Sequence, residues 1–111
     1  LLNPAQFSRV LNGRCKVANE SFTVYALTNE CSHPRLGLVV GKKAARKAVD
    51  RNRIKRIIRE VFRSNAASYA TLDVVVIAKA AAADQTGSLL SEQLTNLFSR
   101  VKKKCANSSS V

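Results

Sequence analysis

Ile54, Ile57, Ile58, Val61 and Phe62 recur at intervals of three and four, which puts them on one stripe of an α-helix and obliges that stripe to bury itself against something apolar. The partner surface lies on either side of it in the chain. Residues 36–40 and 72–78 are near-continuous apolar runs, the pattern of strands buried on both faces. The spacing therefore predicts a helix over residues 46–64 packed on a sheet whose central strands are those two runs.

The other segments fit around this unit. Asn3 followed by Pro4 is an N-cap with proline at the first helical position, Gly13 suits the exit, and Phe7, Val10 and Leu11 share a face, so a first helix is expected over residues 4–12. Residues 14–18 and 22–28 read as strands. In the second, Phe22, Val24 and Ala26 share one face and Thr23, Tyr25 and Leu27 the other, with Phe22 the better core candidate. Residues 28–34 have turn composition, and the alanine-rich stretch at 79–83 is read as a connection. A last helix is expected over residues 88–104, capped by Ser88, with Leu90, Leu94, Leu97, Phe98 and Val101 on a common face. A single domain over residues 1–106 and a frayed tail at 107–111 complete the expectation.

At 111 residues the chain suits one domain with one modest core. Its charge narrows the partners: 19 Lys and Arg against 7 Asp and Glu leave a net charge of +12, which opposes compaction unless a polyanion neutralises it. No apolar stretch approaches the roughly 20 residues that span a bilayer. The first ten residues lack the basic and apolar regions of a signal peptide. Nucleic acid is favoured over a membrane, with a cytoplasmic location and no membrane partner expected. The three cysteines, Cys15, Cys31 and Cys105, contain no C-x-x-C pair and read as reduced thiols, and Cys31 with His33 falls short of the four ligands of a structural zinc site.

Enzyme chemistry finds little footing in these residues. The lone His33 and the scattered acids Glu20, Glu30, Asp73, Asp84 and Glu92 form no evident acid and base pair or triad, so no catalytic residue and no protein-held metal is assigned. Residues 37–43, GLVVGKK, have three residues between the glycines where a phosphate loop needs four, and lack the hydroxyl residue after lysine. KH, RRM and zinc-finger signatures are also missing.

The cations are concentrated where the apolar stripe is. Lys42, Lys43, Arg46, Lys47, Arg51, Arg53, Lys55, Arg56, Arg59 and Arg63 lie within 22 residues, interrupted only by Asp50 and Glu60. Asn52, Lys55, Arg56, Arg59 and Arg63 line the side opposite the isoleucines. A solvated face is the common fate of such residues, but it normally mixes signs to gain pairs of a few tenths of a kcal/mol. Here like charges stack at i, i+3 and i+4, and cations in the first turns oppose the helix dipole by roughly 0.3 to 1 kcal/mol each. A phosphate-docking surface explains that cost, with arginine forks gripping phosphates and Asn52 able to donate and accept. Phe7 and Leu11 could also meet Tyr25 beside Lys16 as a floor on which bases stack, or they could simply pack the first helix on the sheet.

The run RLGLVVGKKAARKAVDRNRIKRIIREVFR, residues 35–63, resembles the signature of the bacterial ribonuclease P protein subunit, whose hallmark is an RNR box inside a basic helix, here Arg51, Asn52 and Arg53. The likeness extends through PAQFSRV before it and LDVVVIAK after it. It implies an α+β fold, an α/β sandwich of the ribosomal protein S5 domain 2-like type, in the order αβββαβα with a left-handed βαβ crossover against the usual right-handed rule. It implies an accessory subunit, monomeric within a ribonucleoprotein, while a catalytic RNA holding magnesium cuts precursor tRNA at its mature 5′ end. By the same resemblance Lys42, Lys43, Arg51, Asn52, Arg53, Lys55, Arg56 and Arg59 meet the RNA subunit, and Arg46 and Arg63 of the same basic run are assigned to that surface with them. Phe7, Tyr25 and the position of Leu11 match the cleft for the 5′ leader, and Lys16 and Thr23 are assigned to that cleft beside them. Leu11 stands where an aromatic is frequent and Gly41 where a serine is. The basic N-terminal segment usual in the family is absent, so a longer natural chain is expected. The runner-up is a ribosomal or other structural RNA-binding protein, and a protein-only nuclease is not expected.

Overall fold

The structure, a computed structural model, describes residues 4–13, 15–28, 34–64 and 72–109. Its elements are α1 (Pro4–Leu11), β1 (Cys15–Ala18), β2 (Phe22–Thr28), β3 (Arg35–Val39), α2 (Ala48–Ser64), β4 (Leu72–Ala78), a 3-10 turn (Ala80–Asp84) and α3 (Gly87–Ser109). The strands form one mixed sheet in the order β1-β2-β4-β3. β1 and β4 both run antiparallel to β2, and β3 runs parallel to β4.

β4 is flanked on both sides, so its backbone is fully committed and its side chains meet protein above and below. That is why LDVVVIA has no clean alternation: only Ile77 escapes full burial. On one face, Val74 and Val76 join Phe22, Val24, Ala26, Leu36, Ile54, Ile57, Ile58, Val61, Leu90, Leu94, Leu97, Phe98 and Val101 in the main core. The isoleucine stripe of α2 thus points where its spacing demanded, each fully buried aliphatic or aromatic side chain contributing about 1.5 to 3 kcal/mol of transfer free energy. Phe62 and Phe98 link α2 to α3 edge to face, with ring centroids 6.3 Å apart at 78°. On the opposite face α1 packs on β2 and β4, with Val10 and Val75 both fully buried.

Several boundaries differ from those read in the sequence, each for a local reason. β3 begins at Arg35 and ends at Val39, one residue earlier at each end than expected. Its first rung carries Arg35 opposite Asp73, whose carboxylate accepts from Nε and Nη2 of Arg35 at 2.8 Å each. α2 begins at Ala48, two residues late, because residues 41–45 turn on themselves: the amides of Ala44 and Ala45 both donate to the Gly41 carbonyl, and both alanines are buried. The alanine-rich connection forms a 3-10 turn around the fully buried Ala82, too short to show a helical period. The cap of α3 is Thr86, whose Oγ1 accepts from the Leu89 amide at 3.2 Å, and Ser88 sits inside the first turn. The helix then continues beyond Lys104 to Ser109, through positions where a frayed tail was expected. Asn3, Arg14, Cys31 and His33 lie outside the described residues. Cys15 is a buried free thiol in the main core.

Candidate RNA-binding surface

α2 sorts its polar residues into two groups. Asn52, Arg56, Arg59 and Arg63, at spacings of four, three and four, are exposed along the side away from the core, and Lys42, Lys43 and Arg46 are exposed in the turn that leads into the helix. Arg51, Arg53 and Lys55 are half-buried. Arg51 donates through Nη1 to the carbonyls of Ala45 (3.0 Å) and Arg46 (2.8 Å), folding the basic turn against the helix it precedes. Arg53 donates through Nη2 to the Gln85 carbonyl at 3.3 Å, tying α2 to the segment before α3.

The RNR box therefore splits by role. Asn52 faces outward, while the two flanking arginines shape the platform and keep their remaining donors for other partners. The helical period puts only Asn52 of the three on the outer face, the resemblance carries Arg51 and Arg53 into the docking set with it, and neither reveals the backbone bonds of the two arginines. Those bonds reach across loops whose course no periodicity reveals. Among the described residues, the salt bridge shown is Arg35 with Asp73, and none of the α2 cations is paired with a carboxylate. Their fields add rather than cancel, the arrangement that concentrates a polyanion at a surface.

The sheet face under α1 forms a second feature. Tyr25 is half-buried there, with Nζ of Lys16 5.6 Å from its ring centroid, a cation over an aromatic face. Lys16 and Tyr25 are directly opposed in the β1–β2 ladder, which keeps both side chains on this face. Thr23 shares the face but is only 8% exposed, so it belongs to the floor. In α1 it is Val10 that anchors the helix, leaving Phe7 half-buried and Leu11 36% exposed. Of the α1 side chains, Val10 is the one fully buried. The register adds two residues that sequence reasoning missed. Thr23 opposes Ile77, and Ile77 opposes Val39, so both extend the floor, Ile77 half-buried and Val39 38% exposed. The alternation that could have revealed Ile77 is hidden by the burial of β4 on both faces.

A small α+β domain with one cationic helix face, and a sheet face that combines an aromatic ring, aliphatic floor and lysine rim, has the build of a protein that works on RNA. Comparison with known proteins agrees. The sequence model of the family described as Ribonuclease P matches residues 1–102. The ribonuclease P protein component of Pseudoalteromonas translucida is 40% identical over 105 residues, covering 95% of this chain and 75% of that protein. That of Idiomarina loihiensis is 42% identical over 106 residues, covering 95% and 85%. The solved ribonuclease P protein of Staphylococcus aureus superposes with a TM-score of 0.82 at 38% identity, covering 89% of this chain and 91% of that one. The Thermotoga maritima protein, solved with 1-(4-fluorophenyl)-2-thiourea, gives 0.76 at 33% identity, covering 85% and 92%. The chain belongs to the ribonuclease P protein family, subunits of a tRNA-processing endoribonuclease.

Proposed function

We propose that the outer face of α2 docks on the catalytic RNA of ribonuclease P and that the sheet face under α1 receives the single-stranded 5′ leader of precursor tRNA. The observation that carries the first half is the line of Asn52, Arg56, Arg59 and Arg63, exposed together with Lys42, Lys43 and Arg46 and unpaired with carboxylates among the described residues. Arginine forks there meet phosphates bidentately, and Asn52 reads sugar or base edges. Arg51, Arg53 and Lys55 contribute from the flanks. On the sheet face Tyr25 stacks a base while Lys16 meets the adjacent phosphate, with Phe7 and Leu11 as one wall and Thr23, Ile77 and Val39 as floor.

We read the labour as divided between protein and RNA. Among the described residues no three His, Cys, Asp or Glu side chains converge. We assign the magnesium and the hydrolytic step to the RNA. The protein binds and orients, acting as a monomer in the ribonucleoprotein, and raises affinity for precursor over mature tRNA. Among the described residues no helix is long and apolar enough to cross a membrane, and we place the protein in the cytoplasm. We further read the architecture as the ribosomal protein S5 domain 2-like sandwich with a left-handed β3–α2–β4 crossover. Family membership supports the ribonuclease P role over a purely ribosomal one.

Reconstitution tests this reading. Adding the protein to the catalytic RNA at low magnesium is expected to stimulate cleavage of precursor tRNA. Tyr25→Ala is expected to weaken precursor binding by about 1 to 3 kcal/mol, the value of one stacked base, while mature tRNA binding and assembly stay unchanged. Equal loss for precursor and mature tRNA would remove the leader from this face.

A further inference from the structure

A second group of cations lies on α3. Arg100, Lys102, Lys103 and Lys104 are all exposed, and no Asp or Glu follows Glu92 in the sequence. Advancing 100° per residue, Arg100, Lys103 and Lys104 share one side of the helix, next to the side on which Leu97 and Val101 are buried. Helix energetics do not account for them. α3 runs to Ser109, which leaves Arg100 about two and a half turns short of the end, whereas the attraction of cations to the C-terminal dipole fades within the last turn. The pairs Arg100 with Lys103 and Arg100 with Lys104 stand at the i+3 and i+4 spacings where like charges repel.

Their position relative to β1 gives them a use. β1 is an edge strand, and Nζ of Lys104 donates to the Lys16 carbonyl at 2.9 Å. The other end of that residue, the Lys16 ammonium, lies over the Tyr25 ring on the opposite face of the sheet. Positive charge therefore continues from the Tyr25 face, around the rim of one strand, onto Arg100 and Lys103. The path is one strand wide and turns through the thickness of the sheet. A flexible single strand with its phosphates spaced along a basic groove can follow it, and a stiff duplex cannot.

We infer that Lys16, Lys104, Arg100 and Lys103 form a phosphate track that carries the distal part of the precursor leader from the Tyr25 face around the β1 edge onto α3. The inference rests on the leader reading of the sheet face. It makes leader length a determinant of affinity, because only a leader that outlasts the sheet face reaches Arg100.

The test uses reconstituted holoenzyme and two precursor tRNAs, one with a leader of a few nucleotides and one with a leader about three times as long. Arg100→Gln with Lys103→Gln removes two charges and leaves the Lys104 bond to Lys16 in place, and unchanged helix content by circular dichroism verifies the fold. This variant is expected to bind the long-leader precursor roughly tenfold more weakly, with the slope of log affinity against log salt shallower by about 1 to 1.5. The short-leader precursor is expected to bind as before. Tyr25→Ala weakens both. If the double variant binds the long leader normally while Tyr25→Ala still weakens both, the track is wrong and the sheet-face reading stands. If Tyr25→Ala spares both, the sheet-face reading is wrong and the track falls with it. Weaker assembly with the catalytic RNA alone would assign Arg100 and Lys103 to the scaffold and overturn the track.

Discussion

Arginines five residues apart on one helix can do opposite work. Arg56 and Arg59 are exposed, whereas Arg51 spends an Nη1 donor on two backbone carbonyls. Replacing Arg56 and Arg59 with alanine is therefore expected to leave unfolding free energy within about 0.5 kcal/mol of the parent, the usual range for surface changes. The same change should make the salt slope of binding to the ribonuclease P RNA shallower by about 1.4 to 1.8, since each lost phosphate contact is worth about 0.7 to 0.9. Arg51→Ala should do the reverse in urea melts, costing about 1 kcal/mol as the Ala45 and Arg46 carbonyls lose their donor. A melt unchanged by Arg51→Ala would return Arg51 to the docking face. The sequence makes the cations and their helical phase legible, since both are local. It does not distinguish Arg51 from Arg56, because the carbonyls that hold Arg51 are presented by a turn whose shape depends on the burial of Ala44 and Ala45.

Elements were legible in proportion to how local their causes are. The isoleucine stripe and the strand faces of Phe22, Val24 and Ala26 follow from periods of 3.6 and 2, and they land in the core as expected. What escaped is pairing across the chain. Asp73 reads in the sequence as one of several scattered acids, yet it is 4% exposed and holds Arg35 across the parallel β3–β4 ladder. That bidentate pair pins the register of β3, which lies at an edge of the sheet. A slip of one residue would turn Leu36 away from the main core. Truncating one partner of a buried pair leaves the other charge uncompensated, so Asp73→Ala is expected to cost about 3 kcal/mol in urea unfolding. Arg35→Met combined with Asp73→Leu should recover most of that loss, because two apolar side chains leave no orphaned charge. Failure of the double variant to recover would mean that the pair contributes attraction well beyond its mutual compensation.

At the scale of the whole molecule the net charge of +12 links folding to binding. Cations gathered on α2 and α3 repel one another in the folded state more than in the expanded chain, and salt screens that repulsion over a Debye length of about 10 Å at 0.1 M. The free protein's melting temperature should therefore rise as ionic strength increases from low to physiological. Bound to its RNA the same protein should behave oppositely. Phosphates then supply the compensation, the ligand stabilises by mass action, and salt weakens that binding steeply by competing for the phosphates. The melting temperature of the complex should fall over the salt range in which that of the free protein rises. Arg56→Ala with Arg59→Ala should flatten both trends, since the same two charges generate the repulsion in one state and the attraction in the other. Thermal melts of free and RNA-bound protein across one salt series measure both slopes. Slopes of the same sign in the two states would mean that the basic surface is neutralised within the protein itself and that the RNA is held by something else.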